Sequence, residues 1–183
     1  DVMYISVGDY AYLGVALNTD SRKRNTHYGL GVYKTIDGGQ TWNPTGLTFE
    51  QTELDGSLTR RVLIDPNNSQ KLVAAGIHGI WTSSDGGDNW NQVYDQMIWD
   101  IHSDPNNSNV IFATTAFVPS LQMGQSSIIK SIDFGQTWAL TGMGVFPSDV
   151  ARVEIAVAPS NSDYVYANCA DLDGGFYGVF QST

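Results

Sequence analysis

One motif recurs three times in this chain at a constant interval, and it constrains the fold more than any other feature. Its copies are TIDGGQTW at residues 35–42, SSDGGDNW at 83–90 and SIDFGQTW at 131–138. They align without gaps, and each copy begins 48 residues after the one before it. A fixed interval of this length indicates a chain that repeats one supersecondary unit.

A second motif interleaves with the first. The sequence DPNNS occurs at residues 65–69 and 104–108, with a weaker copy, APSNS, at 158–162. Proline presets φ at the second position of a type I turn, and aspartate at the first position accepts hydrogen bonds from the N–H groups of the turn. Short apolar runs flank each copy. Each unit is therefore predicted to contain four strands, A to D. The Asp-Pro turn joins strands A and B, and the first motif forms the turn between strands C and D.

Four short strands in about 40–50 residues are typical of one blade of a β-propeller. Along the chain the strands follow the order B-C-D, then A-B-C-D twice, then A-B-C. We therefore predict an all-β fold, a β-propeller with four-stranded antiparallel blades. About 3.5 blades belong to this chain, and the remainder of a larger ring is its first expected partner. The predicted blades are residues 1–49 in part, 58–95, 97–143 and 150–183 in part.

The residues that define the first motif are predicted to be structural. Glycine supplies positive φ in a tight turn, the aspartate accepts hydrogen bonds from turn amides, and the tryptophan covers the turn. These positions are Thr35, Asp37, Gly39, Trp42, Ser83, Asp85, Gly87, Trp90, Ser131, Asp133, Gly135 and Trp138.

The pattern S/T-x-D-x-G-x-T-W resembles the Asp box, or BNR repeat, of sialidases, sortilin-type receptor domains, family-74 xyloglucanases and photosystem assembly-factor propellers. Residues 29–42, 152–161 and 176–180 are also similar to the first propeller of large secreted BNR proteins from Bacteroidetes-type bacteria. Many of those proteins carry a type IX secretion sorting domain. The resemblance implies an exported protein, secreted or held at the cell surface.

The charge balance excludes some partners. The chain has 9 Lys and Arg against 19 Asp and Glu, a net charge of −10. Phosphate contacts need a basic footprint, so nucleic acid is not expected.

No apolar run reaches the roughly 18 residues of a membrane-spanning helix. The single cysteine, Cys169, reads as a small buried hydrophobe, and the three His lack metal-ligand spacing, so neither a metal nor a cofactor is expected.

A ligand-binding face is predicted from loop lengths. The A–B and C–D turns are short, whereas the B–C and D–A loops vary and share one face of a propeller, where insertions usually mark binding. Aromatic, Arg and Asp side chains there would suit a sugar or a peptide, and loop packing is the alternative. The candidates are Tyr10, Tyr12, Arg22, Arg24, His27, Tyr28, Arg61, His78, Trp99, Asp171, Asp173 and Tyr177, and the same loops also hold Phe117, Gln122 and Phe176.

Two carboxylates are the candidates for a catalytic pair. Aligning the Asp-Pro turns places Arg61, Asp100 and Glu154 in one register of the inner strand. A glycosidase needs two carboxylates about 5–10 Å apart, and only Asp100 and Glu154 fit. An ion network with Arg61 is the alternative. No residue set matches the arginine triad and tyrosine nucleophile of sialidases.

The sequence therefore predicts a non-catalytic binding or scaffold module, secreted or at the cell surface, and a candidate type IX secretion substrate. Its expected partners are a glycan, a protein or the secretion machinery. The alternative is a glycoside hydrolase of the xyloglucanase or sialidase type, with part of its active site on other blades.

Overall fold

The computed structural model describes residues 1–7, 29–49, 59–118 and 123–182. Within these ranges the regular structure is entirely β-strand. The strands are β1 (Met3–Val7), β2 (Gly31–Thr35), β3 (Asn43–Thr48), β4 (Thr59–Asp65), β5 (Asn68–Gly76), β6 (Gly79–Ser83), β7 (Asn91–Tyr94), β8 (Ile98–Ser103), β9 (Ile111–Val118), β10 (Met123–Ser131), β11 (Ala139–Val145), β12 (Val150–Val157), β13 (Val165–Asp171) and β14 (Phe176–Gln181).

The strands form four antiparallel sheets in which sequence neighbours are also sheet neighbours. Strands β1–β3 form a three-stranded sheet, β4–β7 and β8–β11 form four-stranded sheets, and β12–β14 form a second three-stranded sheet. This order of three, four, four and three strands confirms the predicted all-β fold. The residue limits predicted for the individual blades stay predictions.

The chain divides into two compact units, Asp1–Gln92 and Val93–Thr183, with the boundary inside β7. In the first unit, the sheets β1–β3 and β4–β7 share a core of buried Val32, Leu47 and Ala74. Trp81 and Trp90 pack against this core. These two large aromatic side chains thus add buried apolar area to the core between the sheets.

In the second unit, the sheets β8–β11 and β12–β14 enclose a core that includes Phe112 and Ile128. Strand β12 shows the period-two alternation of a strand with one buried face: Val153 and Ile155 are buried in this core, whereas Glu154 between them is exposed. The sheet β12–β14 therefore has a core face and, on its other side, an open face that carries Glu154.

The Asp-Pro turns fold as the sequence pattern predicts. The N–H of Asn67 donates to Asp65 Oδ1 (2.9 Å), and the N–H of Asn106 donates to Asp104 Oδ1 (2.8 Å). In the second unit this turn also joins its sheet to the next, because Ser162 Oγ donates to Asp104 Oδ1 (2.5 Å). The same turn chemistry thus terminates a strand and contributes to sheet packing.

Candidate functional site

The three copies of the repeated motif, residues 35–42, 83–90 and 131–138, form turns that we call the repeat turns. In the first, Thr35 Oγ1 donates to Asp37 Oδ1 (2.7 Å) and accepts from the Gly39 N–H (3.0 Å). Asp37 Oδ1 also accepts from the Thr41 N–H (3.0 Å), and Asp37 Oδ2 accepts from Thr41 Oγ1 (2.7 Å). The carboxylate is therefore engaged on both oxygens within its own turn.

The other two repeat turns reproduce this network. Ser83 Oγ donates to Asp85 Oδ1 (2.8 Å), and Asn89 donates to both oxygens of Asp85 through its N–H and its side-chain amide. The equivalent bonds in the third turn join Ser131 and Thr137 to Asp133. All three aspartates thus hold a turn together.

Glycine and tryptophan complete these turns. Gly39 and Gly87 have φ of 92° and 93°, in the left-handed region that favours glycine. The indole N–H of Trp90 donates to the carbonyl of Gly87 (3.0 Å), as that of Trp138 does to Gly135 (2.9 Å). Each of these two tryptophans is therefore fixed over its turn by a hydrogen bond to the turn backbone.

Hydrogen bonding keeps the aspartates ionised. The backbone and side-chain N–H groups of Asn89, followed by the Ser83 hydroxyl, lower the pKa of Asp85 to about 2. The Thr41 side chain and N–H, followed by Thr35, hold the pKa of Asp37 well below its usual range. A general acid must carry a proton near its working pH, so these groups are unsuited to that role.

Because the pKa of Asp85 is lowered on folding, its contribution to stability is complete above the unfolded value of about 3.9 and is lost as pH falls through the folded value. We expect the urea midpoint of the chain to fall between pH 4 and pH 2.5. Asp85→Asn should lower the midpoint at pH 6 and reduce its dependence on acid. Urea denaturation at pH 6, 4, 3 and 2.5 measures these midpoints. An equal dependence of the midpoint on pH in the native chain and the variant would contradict the prediction.

Asp100, one of the two candidate catalytic carboxylates, lies almost fully buried in β8, with 3% of its surface exposed. Its Oδ1 accepts from the N–H of Ile101 (3.0 Å), and its Oδ2 accepts from the N–H of Ile155 (3.1 Å). His102 Nε2 lies 3.1 Å from the same Oδ2. The carboxylate thus links β8 to β12 across the two sheets of the second unit.

Glu154 lies on the open face of β12–β14, beside a cleft of about 320 Å³. Arg152, Ala170 and Phe176 occupy one cross-strand row of this face, and Glu154 pairs with Asn168 in the next. Phe176 is 75% exposed, the largest exposed fraction among the large hydrophobic side chains described. The cleft therefore combines an accessible aromatic ring with three polar side chains, those of Arg152, Glu154 and Asn168.

Trp99 forms the second aromatic wall of the cleft. Residues Ile98 and Asp100 pair with adjacent residues of β9, so Trp99 is the extra residue of a β-bulge. Bulges re-aim side chains and often occur next to functional sites. The guanidinium carbon of Arg152 lies 5.2 Å from the centre of the Trp99 ring, a cation–π contact that orders the arginine.

Other predicted ligand residues have structural contacts. Asp171 Oδ1 accepts from the N–H groups of Asp173 (3.0 Å) and Gly175 (2.7 Å), so it caps the hairpin between β13 and β14. Tyr177 packs against the core of the second unit, and its pKa is raised by burial and by Asp149. These side chains stabilise the framework of the cleft rather than line it.

Two further candidates lie outside the second unit. His78 and Arg61 belong to the first unit, where the His78 ring lies 5.7 Å from that of Phe49 and Arg61 pairs with Ala75 between β4 and β5. The ion network predicted between Arg61 and the two carboxylates stays a prediction. Seven residues named on the ligand face lie outside the described residues: Tyr10, Tyr12, Arg22, Arg24, His27, Tyr28 and Gln122.

Arg152 and Asn168 were missed as candidates. The signal available for Arg152 was its place two residues before Glu154, which puts both on one face of a strand. Asn168 carried no such signal, since only the pairing of β13 with β12 brings it beside Glu154.

Within residues 1–7, 29–49, 59–118 and 123–182, no three His, Cys, Asp or Glu side chains are grouped as metal ligands. Burial raises the pKa of the Cys169 thiol to about 11, so this thiol is a poor nucleophile. The described segments also contain no helix with the length and apolar character that a membrane span requires.

Comparison with known proteins identifies the fold. The chain is similar to an ancestral GH74 enzyme (TM-score 0.65, 22% identity), covering 97% of this chain and 22% of the enzyme. It is also similar to the GH74 enzyme of Niastella koreensis, with a TM-score of 0.60 and 20% identity, covering 83% of this chain and 24% of the enzyme. A third similar structure is the GH74 xyloglucanase of Xanthomonas campestris, with a TM-score of 0.59 and 17% identity, covering 99% of this chain and 27% of the enzyme.

These likenesses show a β-propeller fold, of which the chain forms about 3.5 four-stranded blades. The chain spans only about a quarter of the length of these enzymes. No family model matches the chain. No curated protein matches it either.

Proposed function

We propose that this chain is a non-catalytic part of an Asp-box β-propeller and that it binds a carbohydrate in the cleft beside Trp99. The observation that carries the proposal is the exposed ring of Phe176 at a cleft lined by Arg152, Glu154 and Asn168. Binding sites typically combine an apolar surface with a few polar groups that fix orientation.

The chemistry of a sugar ring matches this arrangement. One face of a pyranose presents C–H groups that can pack on an aromatic ring, and its hydroxyls both donate and accept hydrogen bonds. Arg152 offers donors only, Glu154 offers acceptors, and Asn168 offers both. A neutral oligosaccharide can use all three side chains, whereas the carboxylate of Glu154 would repel an anionic one.

The state of Asp100 supports binding over hydrolysis. Its Oδ2 already accepts from the Ile155 N–H at 3.1 Å and also lies 3.1 Å from His102 Nε2. Glycoside hydrolysis of the usual kind needs two carboxylates that both face the glycosidic bond. Glu154 is exposed and can face a ligand, but Asp100 is buried and engaged in holding two sheets together.

We expect Phe176→Ala to weaken glycan binding at least tenfold, because it removes the most exposed ring of the cleft. Affinity electrophoresis against a panel of neutral polysaccharides, xyloglucan included, measures the effect. Leu172→Ala is the matched control, since Leu172 is an exposed apolar residue close in sequence that does not line the cleft. Equal loss in both variants, or no retardation of the native chain by any glycan, would contradict the proposal.

The second candidate is a glycoside hydrolase whose site is completed by other parts of a larger protein. The GH74 neighbours and the exposed position of Glu154 favour it. If it is right, Glu154→Gln in the full-length protein should reduce the release of reducing ends at least a hundredfold, while glycan binding persists. Unchanged hydrolysis in that variant would eliminate this candidate.

We also propose that the protein is secreted or displayed at the cell surface, with a type IX sorting signal and the remainder of its propeller outside this segment. The similarity of residues 29–42 and 152–161 to secreted BNR proteins supports this. Immunodetection in fractionated cells and medium tests it, and a signal confined to the cytoplasmic fraction would contradict it.

A further inference from the structure

One edge of β12 is held by side chains rather than by a neighbouring strand. In the described part of the chain, β12 pairs with β13 only, so the backbone groups on its other edge point away from its own sheet. Buried backbone N–H and C=O groups need hydrogen-bond partners. The sheet β8–β11 supplies these partners from three buried side chains, Asp100, Thr114 and Ser126, which we call the β12 clamp.

Two members of the β12 clamp bond to the backbone on either side of Glu154. Thr114 Oγ1 in β9 donates to the carbonyl of Val153 (2.6 Å), and the N–H of Ile155 donates to Asp100 Oδ2 in β8 (3.1 Å). Thr114 Oγ1 also accepts from the N–H of Asp100 (3.1 Å), which joins these two members to each other. The peptide groups that flank Glu154 are therefore both fixed to the other sheet.

Ser126 in β10 holds the same strand next to Arg152. Its Oγ lies 2.9 Å from the carbonyl oxygens of both Val150 and Ala151, to either of which it can donate. The same Oγ accepts from the N–H of Phe117 (3.1 Å), so the hydroxyl is oriented by its own sheet. The β12 clamp therefore reaches the peptide group before Arg152 as well.

The β12 clamp affects the cleft because the cleft is built from both sheets. Trp99 belongs to β8, whereas Arg152 and Glu154 belong to β12. Apolar packing between the sheets is non-directional, but hydrogen bonds depend on angle as well as distance. Bonds at fixed positions along β12 therefore set where Arg152 and Glu154 stand relative to Trp99.

We infer that Asp100, Thr114 and Ser126 are positioning residues for ligand binding in the cleft beside Trp99. None of the three is among the described residues that line the cleft, so each acts through β12. The β12 clamp presents the polar side chains of β12 in a geometry that is formed before the ligand arrives, which reduces the cost of ordering them on binding. This inference rests on the proposed function, since it needs a ligand in the cleft.

Thr114→Val and Thr115→Val form a matched pair that tests the inference. Both threonines are fully buried in β9, but Thr115 Oγ1 bonds within its own sheet, to the carbonyl of Gln125 and to Ser127 Oγ. Each substitution removes one buried hydroxyl, so both should lower the thermal midpoint. Only Thr114→Val should weaken glycan binding, by about tenfold. Affinity electrophoresis against neutral polysaccharides, xyloglucan included, measures binding at a temperature where both variants are folded.

Thr114→Ser and a second matched pair separate positioning from general stability. Thr114→Ser retains the hydroxyl and should restore binding to near the native affinity. Ser126→Ala should weaken binding by about tenfold, as Thr114→Val does. Ser127→Ala removes a buried hydroxyl that bonds to Thr115 in its own sheet, so it should leave binding unchanged.

The outcomes distinguish this inference from the proposed function. Native binding that Thr114→Val retains, or that both members of a pair lose equally, would overturn the inference alone. A loss that Thr114→Ser does not restore would also overturn it, since the hydroxyl would then not be the group that holds the cleft. If no polysaccharide retards the native chain, the proposed function and this inference both fail.

Discussion

Replacing Asp100 with alanine is expected to lower the free energy of unfolding by about 2–4 kcal/mol, because it leaves buried N–H groups without acceptors. The N–H of Ile155 would lose its partner in the other sheet, and that of Ile101 would lose its partner in the same strand. A loss of this size is a large fraction of the roughly 5–15 kcal/mol that stabilises a typical domain.

Asp100→Asn is the informative companion to this variant. The amide keeps one oxygen acceptor but loses the negative charge beside His102. Its expected loss is about half that of the alanine variant. Urea denaturation followed by tryptophan fluorescence measures both, and an alanine variant as stable as the native chain would show that the carboxylate does not hold the sheets together.

Gly46→Ala is expected to destabilise the first unit by about 2–4 kcal/mol. A Cβ at this position would lie 2.2 Å from the carbonyl oxygen of Asp88, which is backbone and cannot move aside easily. Relieving the clash would stretch the bond from the Gly46 N–H to the carbonyl of Gly87. The close approach of β3 to the repeat turn at residues 83–90 thus requires a residue without a side chain.

Gly178→Ala is the control for this substitution. Its added Cβ would lie 3.6 Å from the ring of Phe180, an ordinary van der Waals contact. Thermal unfolding should therefore show little change for Gly178→Ala and a clear decrease in midpoint for Gly46→Ala. Equal midpoints would show that the added Cβ is accommodated without loss of stability, and would contradict the tight approach of β3 to the repeat turn.

The sheets were predictable because their signals are local. The Asp-Pro turns and the repeat turns are closed by bonds between residues two to four positions apart, such as Ser83 with Asp85 and Gly87. In the repeat turns this local chemistry recurs every 48 residues. The strand order of one unit therefore applies to the other units as well.

The site was less predictable because its contacts cross strands and sheets. The role of Asp100 depends on Ile155, 55 positions away, and the bulge that turns Trp99 toward Arg152 has no sequence mark. The contacts of Asp171, by contrast, are local. The run Asp-Leu-Asp-Gly-Gly has the residue types of a ligand site, and it folds as a hairpin in which Asp171 accepts from the N–H groups of Asp173 and Gly175; its role as a ligand site stays a prediction.

We propose that the chain binds a carbohydrate at the cleft of Trp99 and Phe176 and does not cleave it. The most direct measurement incubates the purified chain with xyloglucan and other neutral glycans and follows retardation and reducing-end release together. We expect at least one glycan to retard the native chain and not the Phe176→Ala variant. We expect the release of reducing ends to be no faster than in buffer without protein. Release of reducing ends by the native chain that disappears in Glu154→Gln would contradict it.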